Sequence, residues 1–469
     1  MTGAALSNIL EAFALLGVFL LLGAFLRARL RFLQKMFIPS SVIGGFIGLM
    51  IGPTIWGGWT PVSYPADWIQ LYALLPGVLI IPVVASVPLG IQLAGDQSSA
   101  DTTRNVFNMF FLMAGLFGLQ FLIGGGIGAL FMQTSPQMGL YATFGMEMTM
   151  GYSGGHGTAG VVGNMLEGMG LPYWEIAQGV TVTYATIGLI GGILIGIALI
   201  RRISENHGFL NITSAEELPP SWLTGMQPDK AQQRPAGHES TISTSIDVLC
   251  FNLALILAGS GLAILVRNLV NAAGIPIVGA VPVWAYAIIV MWIIWLLMTK
   301  LGIDWLVDHG IKSKIASTLT DFAVVAAIVS MPVQAVLTYA LPILITAIVG
   351  MLATIASIWL CKWLFTSAIY ERWLLIFGTA TGVFLTGLLL LKIADPELDT
   401  PAMRDGSLAY SMNTVLGFVL LPVVAGLAAV NGPIAIALIG LAVVVGCVIG
   451  AVIFSRLGHH DAPAPATKG

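Results

Sequence analysis

The sequence predicts an all-α polytopic membrane protein with about eleven transmembrane helices, an inverted-topology repeat and two re-entrant hairpins. Three observations carry that expectation. Only 9% of the 469 residues are charged while 57% are hydrophobic, whereas a soluble domain carries roughly 25% charged residues. The basic residues cluster so that the apolar segments between them have the wrong parity. The segments that break parity are also rich in glycine. This composition excludes a soluble enzyme, a nucleic-acid binder, a disordered chain and a disulfide-stapled secreted domain. The 19 basic and 22 acidic residues leave a net charge of -3, which names no polyanionic partner. Cys250, Cys361 and Cys447 lie far apart in apolar stretches, so neither a disulfide framework nor a CxxC metal site is present.

A membrane-crossing helix needs about 20 mostly apolar residues. Segments that qualify lie near 6–26, 38–56, 71–94, 105–131, 138–166, 175–200, 246–266, 281–299, 315–334, 336–361, 373–391, 407–430 and 433–455. The first has no basic residue before it and Arg27, Arg29, Arg31 and Lys35 after it. Those flanks suit an outside-to-inside helix and not a cleaved signal peptide. The other basic clusters are Arg104, 201–234, 300–314, Lys362 to Arg404, and Arg456 with Lys468. The positive-inside rule places every cluster in the cytoplasm and leaves Arg267 outside.

Three apolar segments lie between Arg104 and Arg201, yet both ends belong inside, so one segment does not cross. A single segment lies between Arg372 and Lys392, and it should not cross either. The expected dips are 138–166, entering from outside, and 373–391, entering from inside. Each holds a run that makes a poor continuous helix: Met150-Gly-Tyr-Ser-Gly-Gly-His-Gly-Thr-Ala-Gly160 and Gly378-Thr-Ala-Thr-Gly-Val383. Irregular backbone at membrane depth persists only where protein or a water-filled cavity satisfies it. Eleven crossings remain, with the N-terminus outside and the C-terminus cytoplasmic. Gly23, Gly44-Gly45-Phe46-Ile47-Gly48 and Gly188 to Gly196 read as small-residue surfaces for helix packing.

The halves echo one another. Thr134-Ser135 then Phe144-Gly145 parallels Thr366-Ser367 then Phe377-Gly378, and Thr158-Ala-Gly-Val161 parallels Thr379-Ala-Thr-Gly-Val383. Leu171-Pro172 and Asp395-Pro396 close the two dips, and Tyr184 and Tyr410 sit in the helices that follow. Five crossings precede the second copy, so it is inserted upside down, as in many secondary transporters. The organisation expected is an N-terminal repeat over 1–202, a polar cytoplasmic linker over 203–245, an inverted repeat over 246–430, and an extra helix with a disordered tail over 431–469.

At Ile38-Pro39 with Gly44-Gly45, at Ser153-Gly-Gly-His-Gly-Thr-Ala159, and at Ala185-Thr-Ile-Gly-Leu189 through Gly191-Gly192, the chain resembles the bacterial glutamate:sodium symporter family over roughly 37–430. The resemblance implies sodium-coupled glutamate uptake through two opposed re-entrant hairpins, in a homodimer. Two features depart from it. The family's second hairpin usually reads Gly-Ala-Thr-Pro-Thr-Ala, where this chain keeps only Ala380-Thr381-Gly382-Val383. The helix at 433–455 is additional.

A carboxylate in a low-dielectric site needs fixed donors, which hairpin-tip amides and half-helix N-termini provide. Ser153, Gly154, Gly155, His156, Gly157 and Thr158 form one candidate set, with Thr379, Thr381 and Gly382 expected to face them across the repeat interface. The alternative for the hydroxyls is a bond back to a helix carbonyl. His156 either donates to a carboxylate or relays protons, or its ring is a fixed brace. Glu147, Asp321 and Asn413 are the candidates for ion coupling. A carboxylate at membrane centre costs about 3 kcal/mol or more unless paired, hydrated or protonated. Glu147 is therefore either functional or placed in water at an outer mouth, and Asp321 is either functional or a solvated helix end. Lys392 and Asp395 read as a surface ion pair and Glu11 as interfacial.

The expectation is a multi-pass carrier of the bacterial inner membrane, embedded in the lipid bilayer and moving a small organic anion, with sodium as coupling ion and no other cofactor or metal. A passive channel is the first alternative. An intramembrane hydrolase using Ser153, His156 and Glu147 is a remote one, since no nucleophile elbow or zinc motif is present.

Overall fold

Helices are the only regular elements among the described residues, and their ends carry the sequence signals that stop and start them. The computed structural model describes residues 3–56, 59–60, 65–90, 100–205, 220–233, 235–273, 282–395 and 400–457. The tail from His459, read above as disordered, and linker residues 206–219 lie outside the described residues. In chain order the main helices begin with α1 (Gly3–Arg29), α2 (Ser40–Ile51), α3 (Ala66–Ala85) and α4 (Ala100–Thr134). There follow α5 (Met146–Gly154), α6 (Gly157–Gly168), α7 (Trp174–Glu205), α8 (Val248–Ala272), α9 (Val283–Lys300) and α10 (His309–Val329). The last are α11 (Ala340–Ala356), α12 (Ile358–Leu364), α13 (Ile369–Ala394), α14 (Ala402–Asn431) and α15 (Pro433–Leu457).

Ten described helices are long and apolar enough to cross a membrane, so the chain is a polytopic membrane protein. They do not coincide one for one with the eleven expected crossings. The span expected at 38–56 is a shorter apolar helix over Ser40–Trp56, interrupted where Gly52 precedes Pro53; a residue before proline is pushed out of the helical region. The span expected at 315–334 starts earlier, as α10, and carries Lys312, Lys314 and Asp321. Conversely, Ile369–Ala394 has the length and apolarity of a span but turns back on itself, as described below.

The chain divides into two compact units, each drawing on both halves of the sequence. The first comprises Met1–Leu93, Gly155–Thr183 and Pro219–Ala340. Its core packs α3 against α8, α9 and α10, around Ile256, Met291, Trp295 and Ile315, and α1 against α3 and α10, around Leu16, Phe19 and Tyr72. Gly23 and Gly44 let α1 and α2 approach backbone to backbone, and a Cβ at Gly45 would stand 2.7 Å from Ile328 Cβ. These are packing glycines, as expected.

Charged groups in this unit close helix ends. Asp247 caps α8 by accepting from Leu249 N at 2.9 Å, and Asp308 caps α10 by accepting from Ile311 N at 2.8 Å. Asp308 also accepts from His238 N at 3.1 Å, which ties the end of the linker to the turn before α10. Burial opposes its charge, but the Ile311 and His238 amides and the His238 ring outweigh it and hold the carboxyl below its ordinary value. Lys312 is buried and points Nζ at the carbonyls of Ser86 and Leu89, 3.1 and 2.6 Å away, where α3 ends. An ammonium there satisfies carbonyls that have no partner within the helix.

The second unit comprises Ala94–Gly154, Tyr184–Leu218 and Leu341–Gly469. Its long helix α4 packs against α15, α14 and α5, and α13 packs against α5 and α14. The α4–α15 seam is built on small residues: a Cβ at Gly118 would stand 2.8 Å from Val443 Cβ, and one at Gly125 2.5 Å from Ala437 N. The helix expected beyond the second repeat is thus part of this unit's core.

Candidate functional site

The glycine-rich run 373–391 folds into a helical hairpin. Two residues inside α13 are non-helical, Gly382 (φ -153°, ψ 33°) and Val383 (φ 72°, ψ 168°). A Cβ built on Gly378 would lie 2.6 Å from the Cα of Gly387. Nine residues along a straight helix would separate them by about 13.5 Å, so the chain reverses at Gly382-Val383. The feet of the two arms agree. Arg372, at the base of the first arm, bonds Asp405 at 2.9 Å. Asp395, at the base of the second, accepts from Thr400 N at 3.0 Å and Thr400 Oγ1 at 2.6 Å. Thr400 and Asp405 flank the start of α14, so both feet stand at one end of the unit.

The tip lies against the middle of α7. Thr381 directs its carbonyl at Gly188 and its hydroxyl at Gly192, positions where any Cβ would collide with it. Lower on the second arm, a Cβ at Gly196 would stand 2.5 Å from Leu390 Cδ1. Gly188 and Gly192 bracket the midpoint of the 32-residue helix α7. The small-residue face read from the sequence is real, and its packing partner is the hairpin tip.

The first run, 138–166, is two helices, α5 and α6, broken at Gly155 (φ +66°) and His156. The boundary between the compact units passes through this break, after Gly154. In the first unit α6 begins at Gly157, which puts its N-terminal amides and the positive end of its dipole at the signature string. His156 occupies the N-cap, is buried, and makes no side-chain bond to the helix amides. A Cβ at Gly157 would stand 3.3 Å from Thr320 Cγ2 on α10. The next residue, Asp321, is exposed and hydrogen-bonded by Ser41 at the start of α2. It is the thirteenth residue of α10, about 18 Å along the helix from its start. Lys314, Ser317, Thr318 and Asp321 recur at i, i+3, i+4 and i+7 and are all exposed, so one face of α10 is polar from its start to Asp321.

The threonines do not present free donors. Thr158 Oγ1 donates to Gly155 O at 2.8 Å, Thr379 Oγ1 to Leu375 O at 2.6 Å, and Thr381 Oγ1 to Phe377 O at 2.9 Å. With their hydrogens on backbone carbonyls, these hydroxyls have lone pairs left for a ligand. That chemistry suits a cation better than a carboxylate. In the second unit Asn413 is buried with its side-chain carbonyl unpaired. One turn earlier Tyr410 stacks on Phe384 beside the tip, centroids 4.7 Å apart. Tyr184 meets Tyr152 edge to face at 6.2 Å, just before the break in the first run. Tyr410 and Tyr184 thus each sit on an aromatic within a few residues of a break in a helix.

Two expectations need correcting. Glu147 is completely buried, so it is not in water at an outer mouth. Asp395 is buried and accepts from Thr400, so it is not the surface group expected. Three residues escaped the sequence reading. Gln120 on α4 donates to Ala380 O at 2.8 Å and accepts from Ser153 Oγ at 3.4 Å, linking α5 to the hairpin tip. Its signal was an amide in the middle of an apolar run. Arg372 and Asp405 form a buried pair that Arg404 joins at 2.9 Å, and no local pattern marks it. Among the described residues no group of three or more His, Cys, Asp or Glu could hold a metal ion.

A family model described as sodium/glutamate symporter matches residues 6–381, ending one residue before the Gly382-Val383 turn. No curated protein and no solved structure matches the chain.

Proposed function

Because the chain belongs to the sodium/glutamate symporter family, a family of transporters and not of enzymes, we propose that it carries glutamate or a related small carboxylate together with sodium, by alternating access. The folded-back hairpin whose tip rests at the midpoint of α7 is the observation that carries this reading. Broken helices at mid-depth are where secondary transporters hold their substrates and ions.

In this reading 138–166 and 373–391 are the re-entrant segments. The amides at the start of α6, with Ser153, Gly154, Gly155, His156 and Gly157, receive the carboxylate. In the first unit the lone pairs of Thr158, and in the second those of Thr379 and Thr381 with the turn at Gly382 and the unpaired carbonyl of Asn413, offer the oxygen ligands that sodium prefers. Asp321 stands at the head of a polar face, and a carboxylate in lipid at that depth would cost about 3 kcal/mol. That face is therefore a hydrated route for sodium between Asp321 and the cytoplasm. The protein resides in a bacterial inner membrane as a homodimer, N-terminus outside and C-terminus cytoplasmic.

Reconstituted in vesicles, it should accumulate glutamate above the external concentration only under an inward sodium gradient. Equilibration without accumulation would identify a passive channel, and flux indifferent to sodium would end the symport reading.

A further inference from the structure

Glu147, near the start of α5, is fully buried, and its carboxyl is held in place. Oε2 accepts the Gly145 N–H at 2.8 Å. Gly145 (φ +111°) is locked against the backbone of Gly124, so close that no Cβ fits at either residue. No backbone amide reaches the other oxygen, Oε1, and the side-chain partner of the carboxyl is the Tyr141 hydroxyl. The hydroxyls of Thr143 and Thr149, both fully buried in the same unit, have no hydrogen-bond partner. Buried polar groups are paired in the great majority of cases, so a fully buried carboxyl with unpaired hydroxyls four residues before it and two after marks a group that works in more than one state.

Among the described residues no cation is paired with this carboxyl. The titratable groups around it are phenols: Tyr141 beside it, Tyr184 from α7, and Tyr152 in contact with Tyr184. The elements packed against α5 bring neutral groups, Gln120 from α4, and from α11 Gly350 against Met148 and the Ala347 carbonyl that accepts from Tyr152 at 2.9 Å. The guanidinium of α13, Arg372, is committed to Asp405 and Ser367. Lys392 and Glu371 stand at the feet of that hairpin, beyond the tip. An ionised carboxylate buried without a counter-charge is expensive by several kcal/mol, whereas the acid is neutral and gives Oε1 a hydrogen to donate. Sodium would need several more oxygens, and one of the two carboxyl oxygens already holds an amide.

We propose that Glu147 is a proton-binding site, protonated in this conformation and deprotonated in another, so that a proton moves in the transport cycle alongside sodium. On release the O–H bond at Oε1 breaks, the proton passes to water and the carboxylate remains; protonation from water on the other side restores the acid. The inference rests on the sodium-coupled reading for its cycle, but the protonated carboxyl itself does not.

Two measurements on the full chain test it. In vesicles holding a pH-sensitive dye, sodium-driven glutamate uptake should acidify the lumen, and uptake should fall as external pH rises. In Glu147→Gln, an isostere of the acid, sodium-driven uptake should be slower, should no longer acidify the lumen per glutamate carried and should show a flat pH profile. Independently of transport, the infrared spectrum of the purified protein should contain a carboxylic-acid carbonyl band that disappears in Glu147→Gln. Wild-type uptake without acidification, acidification unchanged in Glu147→Gln, or a wild-type spectrum lacking that band would each overturn the proposal. A sodium-dependent change in an ionised carboxylate band, lost in Glu147→Gln, would identify a sodium ligand and overturn it as well. Absence of sodium-driven uptake with the acid band present would instead count against the symport reading.

Discussion

Gly378 and Gly387 stand back to back, so that a Cβ on Gly378 would lie 2.6 Å from the Cα of Gly387 and one on Gly387 2.5 Å from Thr379 Oγ1. This contact closes the hairpin of α13, and even one methyl group forces the arms apart. Overpacking of this kind costs about 1–3 kcal/mol. Gly387→Ala should therefore insert normally yet lose most glutamate uptake, with a lowered unfolding temperature in detergent. Uptake at the wild-type rate would show that the arms can part without consequence.

Gln120 joins two segments by one amide. Gln120→Leu leaves the Ala380 carbonyl without a partner inside protein, a penalty of about 1–3 kcal/mol. Gln120→Glu, when ionised, sets an acceptor against the same carbonyl. Both variants should lose uptake, and Gln120→Glu should lose at least as much although it conserves size. If Gln120→Glu transports like the wild type, the donor to Ala380 is unimportant.

At the first break, Gly155 has a φ of +66°, a conformation that costs an L side chain roughly 1–2 kcal/mol. Gly155→Ala should abolish uptake without preventing membrane insertion. Thr158→Ala removes the hydroxyl bonded to Gly155 O and should do the same. Normal kinetics in both variants would remove the signature string from the site.

Arg372 and Asp405 are paired with side chains at most 1% exposed. Removing one partner leaves the other buried and charged, at a cost of about 3–5 kcal/mol. Asp405→Leu should unfold at a markedly lower temperature than the wild type, whereas Arg372→Met combined with Asp405→Leu should recover much of the loss. A double variant no more stable than Asp405→Leu alone would mean that the pair is not the source of the effect.

Much of this was legible because charge is scarce. Arg372 and Lys392 on either side of one apolar segment led to the expectation of a dip over 373–391, and the chain does reverse within it, at Gly382-Val383. The packing glycines were legible as a class, but not by partner: nothing local tells that Gly44 meets α1 while Gly188 and Gly192 receive Thr381. Long-range polar pairs were invisible for the same reason, because Gln120 finds Ala380 across 260 positions. Glu147 was legible as an anomaly, but its burial follows from tertiary packing of Gly145 on Gly124. The threonines were misjudged in emphasis: sequence shows a hydroxyl, while only geometry shows that its hydrogen already serves a backbone carbonyl.

The most direct test of the central claim is the reactivity of Val383→Cys at the hairpin tip, in a chain whose three native cysteines have been replaced. If the tip borders the transport path, a water-soluble thiol reagent should reach Cys at this position, and sodium with glutamate together should slow the reaction more than sodium alone. A rate that neither ligand alters, in a protein that still transports, would contradict it.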